Sequence, residues 1–229
     1  MPAPRMNVGW LGRSNALRTL LTTQGHDVID VDDIPDVSAF EAIVISTPQQ
    51  QVEGLALALE PHIRRGQIVI HTSIGLGVQV LDPVEVKGAL AMAIAHVGTD
   101  RWLVSTSDEL AQGIAEVLLF ESGQVSVPKT DSERAELAPK IVYAELIARI
   151  TSKAYRDVYM DIGDDALFTD PDALLDNGLT TIEPSDVYAA FAGITDPGFR
   201  KAYVEAARRV GELENNMELE MWGLQEELR

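Results

Sequence analysis

Two histidines of this 229-residue chain each follow an apolar run that is typical of a buried strand. His71 ends the run QIVIH, and His96 ends GALAMAIAH. Histidine titrates near neutral pH, so each ring is a candidate general acid or base. The alternative for His71 is structural, with the ring tying its strand to a neighbouring loop. Because ligands of open α/β sheets bind beyond the carboxyl ends of the strands, we expect both histidines to border one cleft.

A glycine and an acid 20 positions apart predict a second kind of chemistry, the binding of a dinucleotide. In NVGWLGRSNALRTLL, Gly12 stands between an apolar run and a helical pattern, and Asp32 ends the next apolar run. In dinucleotide-binding domains such a glycine permits the tight turn beside the pyrophosphate, and such an acid binds the adenosine ribose. The alternative for Asp32 is a solvated residue at the end of its strand. Asp33 follows, and no adjacent arginine could receive a 2′-phosphate. The pattern therefore favours NAD over NADP.

The second and third glycines of the G-x-G-x-x-G fingerprint are replaced by Ser14 and Leu17. Arg13, Ser14 and Asn15 offer donors to a phosphate at a helix N-terminus. Alternatively, Ser14 or Asn15 is simply the N-cap of that helix. The residues of the expected cofactor site are Gly9, Gly12, Arg13, Ser14, Asp32, Thr47, Pro48 and Ser73.

Strand and helix patterns alternate through the first half of the chain. Near-continuous Val/Ile runs separated by amphipathic helices predict a mostly parallel sheet that is covered on both faces. The first five strands are expected near residues 6–12, 26–32, 41–48, 67–73 and 88–96. Only about ten residues join the second strand to the third, which leaves room for a single helical turn.

From residue 129 onward the patterns are helical. One long helix contains Pro139, helices are expected to open at Pro171 and Pro184, and one long helix is expected over residues 197–229. We therefore predict an α/β domain at residues 1–128 and an all-helical domain at residues 129–229. So much apolar helical surface beside a small sheet suggests a homodimer that forms through the helical domain.

Composition excludes several classes of function. A net charge of −18 opposes binding to nucleic acid and to anionic membranes. The absence of cysteine excludes disulfides and thiolate metal sites, and it fits a cytoplasmic protein, as does the lack of a visible secretory signal. No metal site is expected, because the histidines lack partner acids and the acids near residues 161–172 do not follow a calcium-loop pattern.

Four segments within residues 6–97 are informative together, namely NVGWLG, GHDVIDVD, AIVISTP and GQIVIHTSIGLGVQVLDPVEVKGA. They resemble the Rossmann-like proteins of the 6-phosphogluconate-dehydrogenase-like superfamily. VIHTSIGLGVQVL is similar to the H-x-S-G segment of a poorly characterised branch that joins such a domain to a helical one. The resemblance implies a doubly wound sheet, a dimerising helical domain and a cofactor cleft at the carboxyl ends of the strands.

Two elements of that family's chemistry differ in this chain. The branch has His-Pro after the fifth strand, where this chain has His96-Val97. The hydroxyacid dehydrogenases carry Lys-x3-Asn on the first helix of the second domain, and here only Lys140 and Ala144 stand at those positions. By the resemblance, Lys140 faces the cleft and is a third catalytic candidate. The alternative for Lys140 is an ordinary solvated lysine on the surface of the long helix.

Two hypotheses about function follow. The first is an NAD-dependent dehydrogenase that acts on an unknown small molecule, with His71 or His96 as acid and base. The second is a non-catalytic dimer derived from the Rossmann fold, acting as a ligand sensor or partner-binding protein with a degenerate cofactor loop. The altered loop favours the second, and the fold favours the first, although fold alone is a weak argument for function.

Overall fold

The computed structural model describes residues 5–98, 100–162 and 183–228. The chain divides into two compact units, Met1–Ala135 and Glu136–Arg229. The first unit contains a seven-stranded sheet in the order β2-β1-β3-β4-β5-β6-β7. Its strands are β1 (Asn7–Gly12), β2 (Asp27–Asp30), β3 (Ala42–Ser46), β4 (Ile68–His71), β5 (Leu90–Val97), β6 (Arg101–Thr106) and β7 (Val125–Pro128).

The first five strands are mutually parallel, which confirms the predicted mostly parallel sheet. The pair β5–β6 is antiparallel, because a tight turn rather than a helix joins these two strands. Gly98 lies in that turn with φ of 72°, a conformation that glycine adopts without strain. The expectation of strand–helix alternation is therefore wrong at this one connection.

Helices cover both faces of the sheet. One face packs against α1 and α4 and the other against α2 and α3, so each face has its own apolar core. The helices are α1 (Ala16–Thr23), α2 (Gln49–Leu59), α3 (Asp82–Glu85) and α4 (Glu109–Phe120), with 3-10 turns at Ile34–Ala39, Glu60–His62 and Val78–Leu81.

The connection from β2 to β3 is as short as the sequence predicts. It contains only the 3-10 turn Ile34–Ala39, with Pro35 in its first turn. The chain leaves β1 towards β2 on one side and returns to β3 on the other, so β1 and β3 are neighbours. Ligands of doubly wound folds bind at such a switch point, beyond the carboxyl ends of the strands.

The second unit is helical throughout its described part, with no strand there. The first of these helices begins at Asp131, a few residues before the first unit ends. A capping box defines its start. The Glu133 carboxylate accepts from the Thr130 backbone N–H at 2.9 Å, and the Glu133 N–H donates to the Thr130 hydroxyl. The helices are α5 (Asp131–Ile162), α6 (Pro184–Ala192), α7 (Pro197–Glu214) and α8 (Met217–Glu227).

The predicted single helix over residues 197–229 is wrong, because α7 and α8 are separate. Asn215 lies between them in the left-handed region with φ of 54°, which asparagine tolerates better than most residues. The two helices then pack closely, since a Cβ on Gly211 would lie 2.5 Å from the Glu220 nitrogen. The helix that opens at Pro184 is confirmed, and the one expected at Pro171 lies outside the described residues.

Within the described ranges, the helices fall short of the length and apolarity that crossing a membrane requires.

Candidate functional site

The turn after β1 lies against the end of β3. Gly12 has φ of 107°, and a Cβ at this position would lie 2.2 Å from the carbonyl oxygen of Ser46. The Arg13 N–H donates to that same carbonyl at 2.8 Å. Only glycine can therefore make this turn, and the turn brings the start of α1 to the switch point between β1 and β3.

Asn15 is the N-cap of α1 and also connects this helix to the ends of two strands, β3 and β4. Its side-chain oxygen accepts from the backbone N–H groups of Leu17 at 2.9 Å and Arg18 at 3.3 Å. Its side-chain nitrogen donates to the hydroxyls of Ser46 at 2.8 Å and Thr72 at 3.1 Å. Of the two N-cap candidates in the sequence, Asn15 is therefore the one used, and its amide links α1 to the ends of β3 and β4.

The two replaced glycine positions have different surroundings. Leu17 is 1% exposed and packs into the core on the α1 face of the sheet, so it fills the space that a third glycine would leave. Ser14 is exposed at the turn, as is Arg13. Gly9 lies within β1, where a Cβ would come to 2.9 Å from the side chain of Phe40. This placement gives Gly9 a packing role.

Asp32 follows two residues after the end of β2. The register of β1 and β2 ends with the pair of Trp10 and Asp30, and the Val31 N–H still donates to the carbonyl oxygen of Trp10 at 2.9 Å. The Asp32 side chain is exposed. Asp30 instead forms a bidentate ion pair with Arg18 of α1, which holds the pKa of the Asp30 carboxyl below its usual range. Asp32 is thus the exposed carboxylate just beyond the end of β2, whereas Asp30 is engaged with Arg18.

The ends of β3 and β4 supply further polar groups. The Thr47 hydroxyl is buried with no hydrogen-bond partner among the described residues, and Pro48 then starts α2. The Ser73 hydroxyl donates to the side-chain oxygen of Gln49 at 3.2 Å. A buried hydroxyl without a partner is costly, so the Thr47 hydroxyl is an unsatisfied polar group at this edge of the sheet.

His71 is fully buried at the end of β4. Its Nε2 lies 2.9 Å from the carbonyl oxygen of Gly77, and its Nδ1 is buried without a partner among the described residues. Burial lowers the pKa of His71 to about 4, although the bond to Gly77 opposes this shift. The ring is therefore neutral near pH 7 and ties the strand end to the following loop, the structural role considered for it from the sequence.

His96 lies on the opposite face of the sheet from His71. His71 pairs with Ala93 in register, so His96 is three residues further along β5, about 10 Å at 3.3 Å per residue. Its ring is partly exposed and lies 4.6 Å from that of Trp102, its cross-strand neighbour on the α1 face. His71 shares its face with Val69 in the other core. The structure does not bring the two rings together, contrary to expectation.

Arg134 is a buried residue that the sequence did not single out. It is 0% exposed, and its guanidinium donates to backbone carbonyls of two strands and of the loop after β4. These bonds reach Ser73 at 2.6 Å, Leu76 at 2.7 Å, Leu103 at 3.1 Å and Ala93 at 3.3 Å. Burial lowers the pKa of Arg134 to about 10, so the group is still charged at neutral pH. It fixes the loop that carries Ser73 to the sheet.

Asp131 holds the same loop from the first turn of α5. Its carboxylate accepts from the N–H groups of Val78 at 2.9 Å and Gln79 at 3.0 Å. The carboxylate lies directly over Gly77, where a Cβ would be 1.7 Å from the carboxyl carbon. The pattern D-x-x-R at residues 131–134 is the only sequence signal for this arrangement, and it is too common to predict it.

The helical unit contributes two ionisable groups of interest. Lys140 is exposed on α5. Glu145, one turn further along, is largely enclosed, and burial raises the pKa of its carboxyl to about 7, with Arg149 opposing the shift. Glu145 can therefore hold or release a proton near neutral pH, a property that the sequence does not indicate.

Within the described ranges, no group of three or more His, Asp or Glu side chains is placed to hold a metal ion. The acids at residues 163–172 lie outside those ranges.

Comparison with known proteins assigns each half of the chain to a domain family. Residues 6–96 match the Rossmann-like domain, and residues 130–226 match the 6-phosphogluconate dehydrogenase C-terminal domain-like family. The chain is thus a two-domain protein with a dinucleotide-binding type of fold. It belongs to the Rossmann-like proteins of the 6-phosphogluconate-dehydrogenase-like superfamily. No curated protein sequence matches the chain significantly.

Solved structures of low sequence identity share the fold. Mycobacterium tuberculosis 3-hydroxyisobutyrate dehydrogenase with L-serine is 16% identical in sequence. The match covers 91% of this chain and 94% of the dehydrogenase chain, with a TM-score of 0.60. A Bacteroides fragilis protein provisionally described as an NADP oxidoreductase is 12% identical over 98% and 99% of the two chains, with a TM-score of 0.54. A. aeolicus prephenate dehydrogenase with hydroxyphenyl propionate and NAD+ is 11% identical over 99% and 94%, with a TM-score of 0.50.

Proposed function

We propose that this protein is a dehydrogenase that binds a nicotinamide dinucleotide and exchanges hydride with a small molecule whose identity is unknown. The observation that carries the proposal is the arrangement around Gly12. A turn that only glycine can make brings the capped start of α1 to the switch point, and the exposed Asp32 follows two residues after the end of the neighbouring strand β2. The two known dehydrogenases of the same fold support this proposal.

The residues around the turn fit such a cofactor. The exposed turn at Arg13 and Ser14 leads into the N-terminus of α1, which attracts the negative charge of a pyrophosphate. The Asp32 carboxylate would accept hydrogen bonds from the ribose hydroxyls, and the Thr47 hydroxyl would donate to the cofactor. When bound, the nicotinamide supplies hydride transfer, and the side chains of this site position and orient it.

We assign the acid–base role to His96 rather than His71. A catalytic group must exchange protons with a substrate, and the His71 ring is fully buried and engaged with Gly77. His96 is partly exposed near the carboxyl end of β5, the edge where ligands of such sheets bind. Lys140 stays a candidate, since it is exposed on the first helix of the second domain.

NAD is the proposed cofactor, and Asp32 is the residue that selects it. Two adjacent carboxylates, Asp32 and Asp33, would repel the 2′-phosphate of NADP by about 1.4 kcal/mol or more, which corresponds to about tenfold in affinity. In calorimetric titrations, NADH should therefore bind at least about tenfold more tightly than NADPH. Asp32→Asn should reduce this preference, whereas Asp36→Asn, which changes an exposed acid of the 3-10 turn, should not.

Two outcomes would overturn these assignments. No heat with either nucleotide at high micromolar protein would refute the dehydrogenase and favour a non-catalytic ligand sensor or partner-binding protein. Tight binding of NADPH without binding of NADH would leave the dehydrogenase standing and would refute the role of Asp32 and Asp33.

We also propose that the protein is a homodimer through its helical unit. Five apolar side chains of α5 are exposed, namely Ile147, Tyr155, Val158, Met160 and Ile162. Basic and acidic residues are mixed along this segment, so two copies of it would not repel each other through like charges. Light scattering should give twice the chain mass of 25.0 kDa, and replacing Tyr155 and Val158 together by serine should give the monomer. A monomeric mass for the unaltered protein would refute the proposal.

A further inference from the structure

The outward face of α4 is apolar although it faces solvent. Leu110 is 62% exposed, Val117 51% and Phe120 81%. Gly113 lies between them, and a Cβ there would meet nothing within 4 Å. These four residues are spaced by three, four and three positions, so they form one stripe about 15 Å long at 1.5 Å per residue. We call these four residues the α4 stripe.

The opposite face of α4 already packs the core of the first unit. Ala111, Ala115, Leu118 and Leu119 are all buried against the sheet. The side chains of the stripe therefore lie outside the core of the first unit, and a surface helix normally carries polar residues there. A contiguous exposed apolar stripe on an otherwise acidic protein is typical of an interaction surface.

The charges around the stripe determine which partner fits it. Residues 108–128 contain four acids and no lysine or arginine. Glu109 and Glu116 lie along one side of the stripe, and Glu121 follows its end, where Arg5 pairs with it at 2.9 Å. Asp108 caps the start of the helix. Except for Arg5 near Glu121, the surface is thus a row of apolar side chains beside carboxylates.

We propose that the α4 stripe docks a basic amphipathic helix of a partner protein. Such a helix would place its apolar residues on Leu110, Val117 and Phe120, while its lysines or arginines meet Glu109 and Glu116. Gly113 allows a close approach of the partner at the middle of the stripe. A second copy of this chain fits poorly, because it would set the same carboxylates against each other. The inference does not depend on the proposed cofactor.

The test uses a labelled 18-residue peptide of leucine and lysine with leucines at helical spacing. A second peptide of the same composition with scrambled order serves as control. Fluorescence anisotropy with the full chain should show that the helical peptide binds and that the scrambled one binds at least about tenfold more weakly. Replacing Leu110 and Phe120 together by serine should weaken binding by about tenfold or more.

Charge variants and a matched apolar variant complete the design. Glu109→Gln with Glu116→Gln should weaken binding several-fold and reduce its dependence on salt. Val86→Ser, which changes an apolar side chain that is 83% exposed elsewhere on the first unit, should leave binding unchanged.

Equal binding of both peptides, or binding that is indifferent to the Leu110/Phe120 substitutions, would show charge attraction only. A dimer mass that those substitutions abolish would assign the stripe to a second copy. Either result overturns the proposal.

Discussion

Replacing Arg134 by methionine should lower the free energy of unfolding by about 3–5 kcal/mol, the range for breaking a buried polar network. Methionine approximates the volume of the arginine side chain, so the loss reports the hydrogen bonds rather than a cavity. Four backbone carbonyls lose a charged donor, at Ser73, Leu76, Ala93 and Leu103. Urea unfolding followed by circular dichroism measures the change.

Two further variants define what the Arg134 measurement means. Arg134→Lys keeps the positive charge, but the single ammonium group of lysine cannot bond to all the carbonyls that the planar guanidinium reaches. It should therefore lower the free energy of unfolding by an intermediate amount. Lys140→Ala removes an exposed cation of the same helix and should change stability by less than about 0.5 kcal/mol. If Arg134→Met costs less than about 1 kcal/mol, the loop after β4 does not depend on this residue.

The features that the sequence predicts correctly depend on neighbouring residues. The parallel strands follow from Val/Ile runs, and the single turn between β2 and β3 follows from the few residues available there. The need for a glycine at position 12 follows from the turn itself, which has the same backbone requirement wherever it occurs. Such local requirements are visible in one sequence.

The features that the sequence does not predict depend on residues far apart in the chain. Arg134 contacts Ser73, 61 positions earlier, and nothing in either segment indicates the other. The opposite faces of the sheet on which His71 and His96 lie follow from the register of β4 and β5. No local sequence pattern predicts that register. Asn215 separates α7 from α8 by adopting a conformation that asparagine tolerates but does not require.

The altered fingerprint illustrates both kinds of information. The sequence shows that Ser14 and Leu17 replace two glycines, and it offers Asn15 only as one of two N-cap candidates. The structure adds that the Asn15 amide also holds the ends of β3 and β4, through Ser46 and Thr72. In this protein one side chain therefore fixes the start of α1 to the ends of two strands, β3 and β4, and the turn before α1 stays exposed.

Asn15→Asp should separate cofactor binding from folding. The carboxylate keeps the oxygen that caps α1, and the hydroxyls of Ser46 and Thr72 can rotate to donate to its second oxygen. Unfolding free energy should therefore stay within about 1 kcal/mol of the unaltered protein. The added negative charge at the helix N-terminus should weaken NADH binding by about tenfold or more, and salt should reduce this effect.

Asn15→Ser is the matched control, because serine caps a helix about as well as asparagine but is too short to bridge to β3 and β4. It is neutral, so it should lower stability by about 1–2 kcal/mol through the lost bridge while weakening NADH binding less than Asn15→Asp does. Calorimetric titration and urea unfolding of the two variants measure both quantities. If Asn15→Asp binds NADH as tightly as the unaltered protein, no pyrophosphate lies at the start of α1, and the cofactor must be held elsewhere on the sheet edge.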